Sequence, residues 1–246
     1  MSGDAGVTTL LVVEHQGTCS AGRLGDWLAE AGVVLDVRRP YLGDAVPERV
    51  DADGLLVLGG AMGAYDDGVA PWLPATRRLL ATAAADGTPT LGVCLGAQLL
   101  AVACGGRVEV TGGIEAGVVD VRWREEAAGD PLVGGLEGGS TAGPSMHLDA
   151  VVALPPQSVW LAETPACRHQ AFRVGPRAWG VQFHPEVALP AFRAWTQAHA
   201  GDWDRRGLPA DDVGGQLVRR DGEVQDVGRQ LASRFAGLLA ACPATP

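Results

Sequence analysis

Cys94 lies in Thr90-Leu91-Gly92-Val93-Cys94-Leu95-Gly96-Ala97-Gln98-Leu99-Leu100-Ala101. An apolar run ends at the sulfur, a helix-like apolar pattern begins behind it, and glycines stand two residues before and two after. This is the G-x-nucleophile-x-G spacing of a nucleophile elbow, with cysteine in place of serine. The chain reverses that tightly only where no Cβ meets neighbouring backbone. Such a turn lifts the thiol above the end of a sheet and sets it over the positive end of the next helix, which favours the thiolate. The competing reading is a buried structural thiol beside a strand-to-helix turn. The glycine spacing and the partners further along the chain decide against it.

A cysteine nucleophile needs a base. His184 lies in Gly180-Val181-Gln182-Phe183-His184-Pro185-Glu186, at the end of an apolar strand, and Pro185 stiffens the turn behind it. Glu186, two residues on, can accept a hydrogen bond from one imidazole nitrogen and leave the other facing the thiol, as in a nucleophile–base–orienter triad. A satisfied histidine at a strand end, with a surface glutamate nearby, is the plainer alternative. His15, His147, His169 and His199 are the rival bases. Of these His199, on an expected surface helix, ranks last, and His147 forms a His-x-Asp pair with Asp149 on one face of a strand. No two histidines have the i, i+4 spacing of a helical zinc site, so no metal is expected. An acyl-transfer site also needs oxyanion donors. The Leu95 N–H directly follows the nucleophile, and the Gly59-Gly60-Ala61-Met62-Gly63 loop follows a neighbouring strand and reaches the same end of the sheet. That loop has neither the GxGxxG nor the GxxxxGK[ST] pattern, so a phosphate cradle ranks below an ordinary βα turn.

These groups need a sheet to carry them. Val7 to Val13, Val33 to Val37, Asp53 to Leu58 and Thr88 to Val93 read as strands, with helices over Ser20 to Ala31 and Trp72 to Ala85. The alternation predicts a mostly parallel central sheet with helices on both faces. After Cys104-Gly105-Gly106 the texture changes to short extended segments at 108–110, 117–123, 145–152 and 159–161, which predict a smaller antiparallel edge sheet. Two further strands, 170–174 and 178–183, flank Gly175-Pro176-Arg177. Pro190 to His199 reads as a helix, Gly201 to Gly215 as an acidic surface loop, Val224 to Leu239 as a closing helix and Pro243 to Pro246 as a tail. Nothing reads as an interdomain linker, so residues 1–246 are taken as one domain with a core over about 7–199.

The chain has 246 residues, 47% of them hydrophobic, and a formal net charge of −10, which argues against a nucleic-acid partner. The five cysteines (19, 94, 104, 167 and 242) show neither a disulfide framework nor metal spacing, and fit a reducing cytosol. Residues 1–9 do not read as a signal peptide, and no run has membrane-spanning length, so a cytoplasmic protein off the membrane is expected. Trp123, Trp160 and Trp195 lie in segments open to an interface, with core packing the commoner use.

Gly92-Val93-Cys94-Leu95-Gly96-Ala97-Gln98, followed some ninety residues later by Phe183-His184-Pro185-Glu186, resembles the class I (triad) glutamine amidotransferases. The Gly59–Gly63 loop falls where that family has its oxyanion loop, and the resemblance runs from about Val7 to Phe192. Gln170-Ala171-Phe172-Arg173 and Ala178-Trp179-Gly180-Val181-Gln182-Phe183 are similar to the stand-alone group related to the amidotransferase domain of GMP synthetase. The resemblance implies a flavodoxin-like fold and no cofactor. It implies that Cys94 attacks the glutamine side-chain amide to form a γ-glutamyl thioester, with His184 as proton carrier and Glu186 as its orienter. It implies Gly60 or Ala61, together with Leu95, as oxyanion donors. Gln98, Met146 and His147 match positions that hold the substrate; a capping or network role is the alternative for Gln98. The chain departs from the group at Met146-His147-Leu148-Asp149, where Trp-His-Gly-Asp is usual, and at Glu115-Ala116-Gly117-Val118, where Glu-Ile-Gly-Trp is usual. Leu148 therefore brings bulk to the substrate pocket. Three functions follow: glutamine hydrolysis with ammonia released for a separate synthase, a γ-glutamyl peptidase or transferase using the same thioester, and a non-catalytic binding or regulatory protein on this scaffold.

Overall fold

The computed structural model describes residues 7–137, 139–204, 207 and 209–241. Its first half alternates as the apolar pattern requires: Thr9–Val13 (β1), Gly22–Glu30 (α1), Val34–Arg38 (β2), Leu55–Val57 (β3), Leu73–Asp86 (α2), Thr90–Val93 (β4) and Leu95–Ala103 (α3). There follow Arg107–Trp123 (β5), Ser140–Ala153 (β6), Val159–Glu163 (β7), Ala171–Val174 (β8) and Ala178–Val181 (β9), then the helices Leu189–Ala198 (α4), Ala200–Asp204 (α5) and Ala210–Ala240 (α6). The expected tail and Cys242 lie outside the described residues.

The strands form a nine-stranded sheet in the order β2-β1-β3-β4-β9-β8-β7-β5-β6. The ladders from β2 through to β9 are parallel. Those from β9 through to β6 are antiparallel. The expected α/β architecture is present, with one refinement: the antiparallel strands continue the parallel sheet, because β9 pairs with β4 on one edge and with β8 on the other. The segments read as separate strands at 108–110 and 117–123 are parts of β5, whose register against β6 shifts between Val110 and Glu115.

Period-two alternation sorts the buried strand residues onto two faces. Leu10, Val12, Leu56 and Leu58 pack with Leu24, Leu28, Leu231 and Phe235, on the side of α1 and α6. Leu11, Val13, Leu55 and Val57 pack with Leu79, Leu80, Leu99 and Leu100, on the side of α2 and α3. Both faces of the parallel half are therefore covered, and the ligand-accessible region is left at the carboxyl ends of the strands.

The acidic loop expected over Gly201 to Gly215 is a correction. Residues 200–204 are α5, and 210–215 open α6. Gly214, Gly215 and Gly222 weaken helix propensity there, but Val213, Leu217 and Val224 are buried against Phe192 and Trp195. Tertiary burial outweighs the glycines. Among the described residues no helix is long and apolar enough to cross a membrane.

The turn from β4 into α3 is set by missing Cβ atoms. A Cβ on Gly92 would stand 2.5 Å from the Gly96 carbonyl oxygen, and one on Gly96 would overlap the Val57 carbonyl of β3. Gly96→Ala is therefore expected to destabilise the protein by about 3 kcal/mol, as backbone atoms rather than a flexible side chain must move. Denaturant titration of the two proteins checks this.

Candidate active site

The carboxyl ends of β1, β3, β4 and β9 bring Gln16, the Gly59–Gly63 loop, Cys94 and His184 to one place. Cys94 caps α3 with φ 50° and ψ −108°, a conformation that side chains disfavour. Its N–H donates to the Val181 carbonyl of β9 at 2.8 Å, so the ladder continues onto the nucleophile itself. A Cβ on Gly59 would lie 3.2 Å from His184 Cε1 and 3.6 Å from Cys94 Cβ. The loop backbone thus passes against both groups, and a side chain at Gly59 would press on the His184 ring.

His184 and Glu186 are both buried, and His184 Nδ1 lies 2.7 Å from Glu186 Oε1. Burial alone pushes the imidazole down. The Glu186 carboxylate and the Cys94 sulfur outweigh it and hold His184 well above its ordinary value. The other Glu186 oxygen is buried without a hydrogen-bond partner among the described residues, so the carboxylate's polar interaction is concentrated on the ring. Trp195 stands edge-on to His184 with ring centroids 4.8 Å apart, and its indole N–H donates to the Thr18 carbonyl at 2.9 Å. Trp195 is therefore part of the buried site. The backbone of the turn is clamped as well: Arg23 N–H at the start of α1 donates to the Glu186 carbonyl at 2.9 Å, and a Cβ on Gly228 of α6 would lie 2.8 Å from the Pro185 carbonyl.

The rival histidines are occupied elsewhere or differently. His15 is fully buried and accepts from Trp72 Nε1 at 3.0 Å, and burial pushes it down to about 4. It is a neutral scaffold behind the loop. His169 donates to the Val151 carbonyl at 2.7 Å on the antiparallel half. His147 donates through Nδ1 to the Asp149 carbonyl at 2.9 Å, and its Nε2 lies 3.0 Å from Glu115 Oε2. Glu115 also accepts from Ser145, Thr164 and Gln170. Burial pushes the Glu115 carboxyl up, but its His147, Thr164 and Ser145 donors hold it below its ordinary value. His199 is exposed directly after the last residue of α4, as expected, and it also lines both cavities beside Cys94.

The larger cavity, about 270 Å³, is bounded by Gly60, Cys94 and Gln98, by Met146 and His147 of β6, and by the apolar side chains Met62, Ile114, Leu148 and Trp203. Asp149 also faces it, its carboxyl pushed up by burial and by Asp66 nearby. Leu148 is 44% exposed, so its bulk sits at the rim. Gln98 lines the cavity but spends its amide N–H groups inside the protein: Nε2 donates to the Asp149 carbonyl at 2.9 Å and to Gln182 Oε1 at 3.2 Å. Gln182 in turn donates to Cys94 Sγ at 3.5 Å. Sequence reasoning missed Gln182 as a contact of the sulfur, although period two places it on the His184 face. It also missed Gln16 and Cys19, which line the smaller cavity of about 80 Å³ with Cys94 and His184. No local signal marks those two. Among the described residues no group of three or more His, Cys, Asp or Glu side chains is placed to hold a metal, and Cys19, Cys94, Cys104 and Cys167 are free thiols.

A buried thiol, an imidazole held toward its charged form, a carboxylate on that imidazole's far nitrogen and two backbone segments at the sulfur form a constellation for acyl transfer. The family described as glutamine amidotransferase class-I matches residues 24–195. The chain is similar to a glutamine-hydrolysing GMP synthase subunit of Halobacterium salinarum. They are 38% identical over 143 residues, which cover 58% of this chain and 70% of that one. In fold it resembles a glutamine amidotransferase of Thermotoga maritima (TM-score 0.81, 23% identity, 94% of this chain and 98% of that one). It also resembles one of Methylobacillus flagellatus (TM-score 0.83, 24% identity, 94% and 95%).

The His184 environment has a spectroscopic consequence. Its ring is expected to remain protonated well above the ordinary histidine range near 6.5. In Glu186→Gln burial prevails, and the titration moves to lower pH. NMR of labelled histidine across pH 5 to 9 measures both; a midpoint that does not move in the variant would contradict the assigned cause.

Proposed function

The chain belongs to the class-I glutamine amidotransferases, and from that premise we propose that it hydrolyses the side-chain amide of glutamine through a γ-glutamyl thioester on Cys94. The observation that carries the reading is the Cys94–His184–Glu186 arrangement, with His184 held toward its protonated form at a sulfur in a strained elbow. Cys94 Sγ attacks the amide carbon. The developing oxyanion is met by the Leu95 N–H at the start of α3, where helix amides lack intrahelical partners, and by the Gly60 N–H of the loop. As the C–N bond breaks, His184 gives its proton to the departing nitrogen and ammonia leaves. The neutral ring then takes a proton from water, the hydroxyl adds to the thioester, and glutamate departs as the thiol group is restored. Glu186 holds the ring through Nδ1, so that Nε2 is the nitrogen that moves protons. Met146 and His147 of β6 form the side of the pocket that meets the amino-acid end. The donors committed by Gln98 support a role in shaping the pocket and seating Gln182.

The ammonia is released for a separate synthase, a reading supported by the similarity to the GMP synthase chain from Halobacterium salinarum. The same reading treats residues 1–246 as one amidotransferase-like domain. The unbroken ladder from β2 to β6 and the return of α6 against β5 and β6 support it.

A γ-glutamyl peptidase or transferase is the second reading. What favours it is the apolar lining by Met62, Ile114, Leu148 and Trp203, which has no counterpart in the polar ends of glutamine. Ammonia release from glutamine and cleavage of γ-glutamyl dipeptides, measured side by side, separate the two. Glutaminase activity without dipeptide cleavage is the expected outcome; the reverse establishes the second reading, and neither activity, with synthases added, favours a binding protein. Cys94→Ala abolishes turnover. His184→Ala lowers kcat by about a thousandfold, and Glu186→Gln lowers it less, because losing orientation removes less than losing the proton carrier.

A further inference from the structure

The Gly59–Gly63 loop carries two candidate oxyanion donors, and the protein itself has engaged one of them. The Ala61 N–H donates to Gln16 Oε1 at 3.0 Å. The other end of that carboxamide donates to Thr18 Oγ1 at 2.7 Å and to Cys19 Sγ at 3.2 Å. These partners fix which way the amide faces, since a flipped Gln16 would set its NH₂ group against the Ala61 N–H. Further along the loop the Gly63 N–H is taken by Asp66 Oδ2 at 2.7 Å. Gly60, between Gln16's partner and the strand, is packed so closely that a Cβ would meet Leu95 at 2.9 Å and His15 at 3.1 Å.

We infer that Gln16 is a positioning residue for the acyl-transfer step. By holding the Ala61 N–H it withdraws that donor and anchors the loop directly after Gly60, and it leaves the Gly60 N–H, one peptide earlier, as the donor that the loop presents, with Leu95, to the substrate oxygen. This rests on the thioester reading above. The physical basis is preorganisation: only the two dihedrals of Gly60 separate the held Gly60–Ala61 plane from the Gly59–Gly60 plane that carries the donor, so holding the first restricts the second, and a restricted donor needs less reorganisation when charge appears on the oxygen. Gln16 reaches the loop from the end of β1 and lines the same small cavity as Cys94 and His184. Its neighbour Thr18 receives the indole N–H of Trp195, the residue packed on His184. One short segment therefore supports both the oxyanion loop and the proton carrier.

The test is Gln16→Met, which keeps the length of the side chain and removes both polar ends. For wild type and variant, kcat and KM for glutamine are measured alongside the inhibition constant of glutamate γ-semialdehyde. The aldehyde adds to Cys94 as a hemithioacetal, and its oxygen occupies the oxyanion position. Gln16→Met is expected to lower kcat about tenfold, leave KM within twofold and weaken the aldehyde by the same factor as kcat. Gln16→Ala, which only removes atoms from a partly exposed position, should give the same split and serves if Met is not accommodated. Unchanged kcat and aldehyde affinity would overturn the inference. So would an increase in both, which would make Gln16 an obstruction, or a parallel loss of KM, which would indicate general damage to the pocket. Wild-type protein that neither releases ammonia nor binds the aldehyde would remove the thioester reading and this inference with it, whereas an active wild type with an indifferent Gln16 removes the inference alone.

Discussion

The site depends on how closely the backbone of β3 approaches the first turn of α3. Gly96 sits against the Val57 carbonyl with no room for a side chain, and Gly92 sits equally close to Gly96. That contact fixes the helix over the strand ends, and the helix fixes Cys94 in its positive-φ conformation. The Cys94 N–H then closes onto β9, which is the strand that delivers His184. Nucleophile and base are thus placed by the same packing contact. Side-chain hydrogen bonds refine this geometry; they do not create it.

Two buried carboxylates illustrate how environment separates structure from chemistry. Glu115 accepts from His147, Ser145, Thr164 and Gln170, so its charge is well compensated and serves to fasten β5, β6 and the segment before β8. Glu186 is as deeply buried but has one oxygen on His184 and the other unpartnered among the described residues. A half-satisfied buried acid costs stability. Here that cost accompanies a ring kept in its charged form beside a sulfur, the state from which a leaving nitrogen can be protonated.

Cys94, His184 and Glu186 were legible because each lies in a local pattern: glycines at fixed offsets, or a carboxylate two residues from an imidazole at a strand end. The parallel half was legible for the same reason, since doubly buried strands are continuous apolar runs. Other features depend on contacts between distant segments. Gln16 meets Ala61 across 45 residues, and nothing near Gln16 advertises the bond. His199 is exposed at the end of α4, as helical periodicity implies, but that periodicity does not show that the end of the helix borders the cavity. The first turns of α6, up to Gly215, read as a loop because glycines and acidic residues surround Val213, and the next apolar position, Leu217, follows without a clear period. Their burial against α4 is visible only when α4 is in place.

The sheet order has a consequence for the order of assembly. Neighbours β4 and β9 are separated in the chain by all of β5 to β8, and β9 is held between β4 and the last of those strands. A chain growing from its amino end can form β1 to β4 and the elbow while the strand that carries His184 has yet to emerge. During that interval Cys94 is a thiol at an open strand edge, with neither its base nor its hydrogen-bonding neighbour Gln182. Contacts of such long sequence separation are late and slow to form. The pairing of β9 with β4 is therefore the step that brings His184 to Cys94 and completes the candidate site.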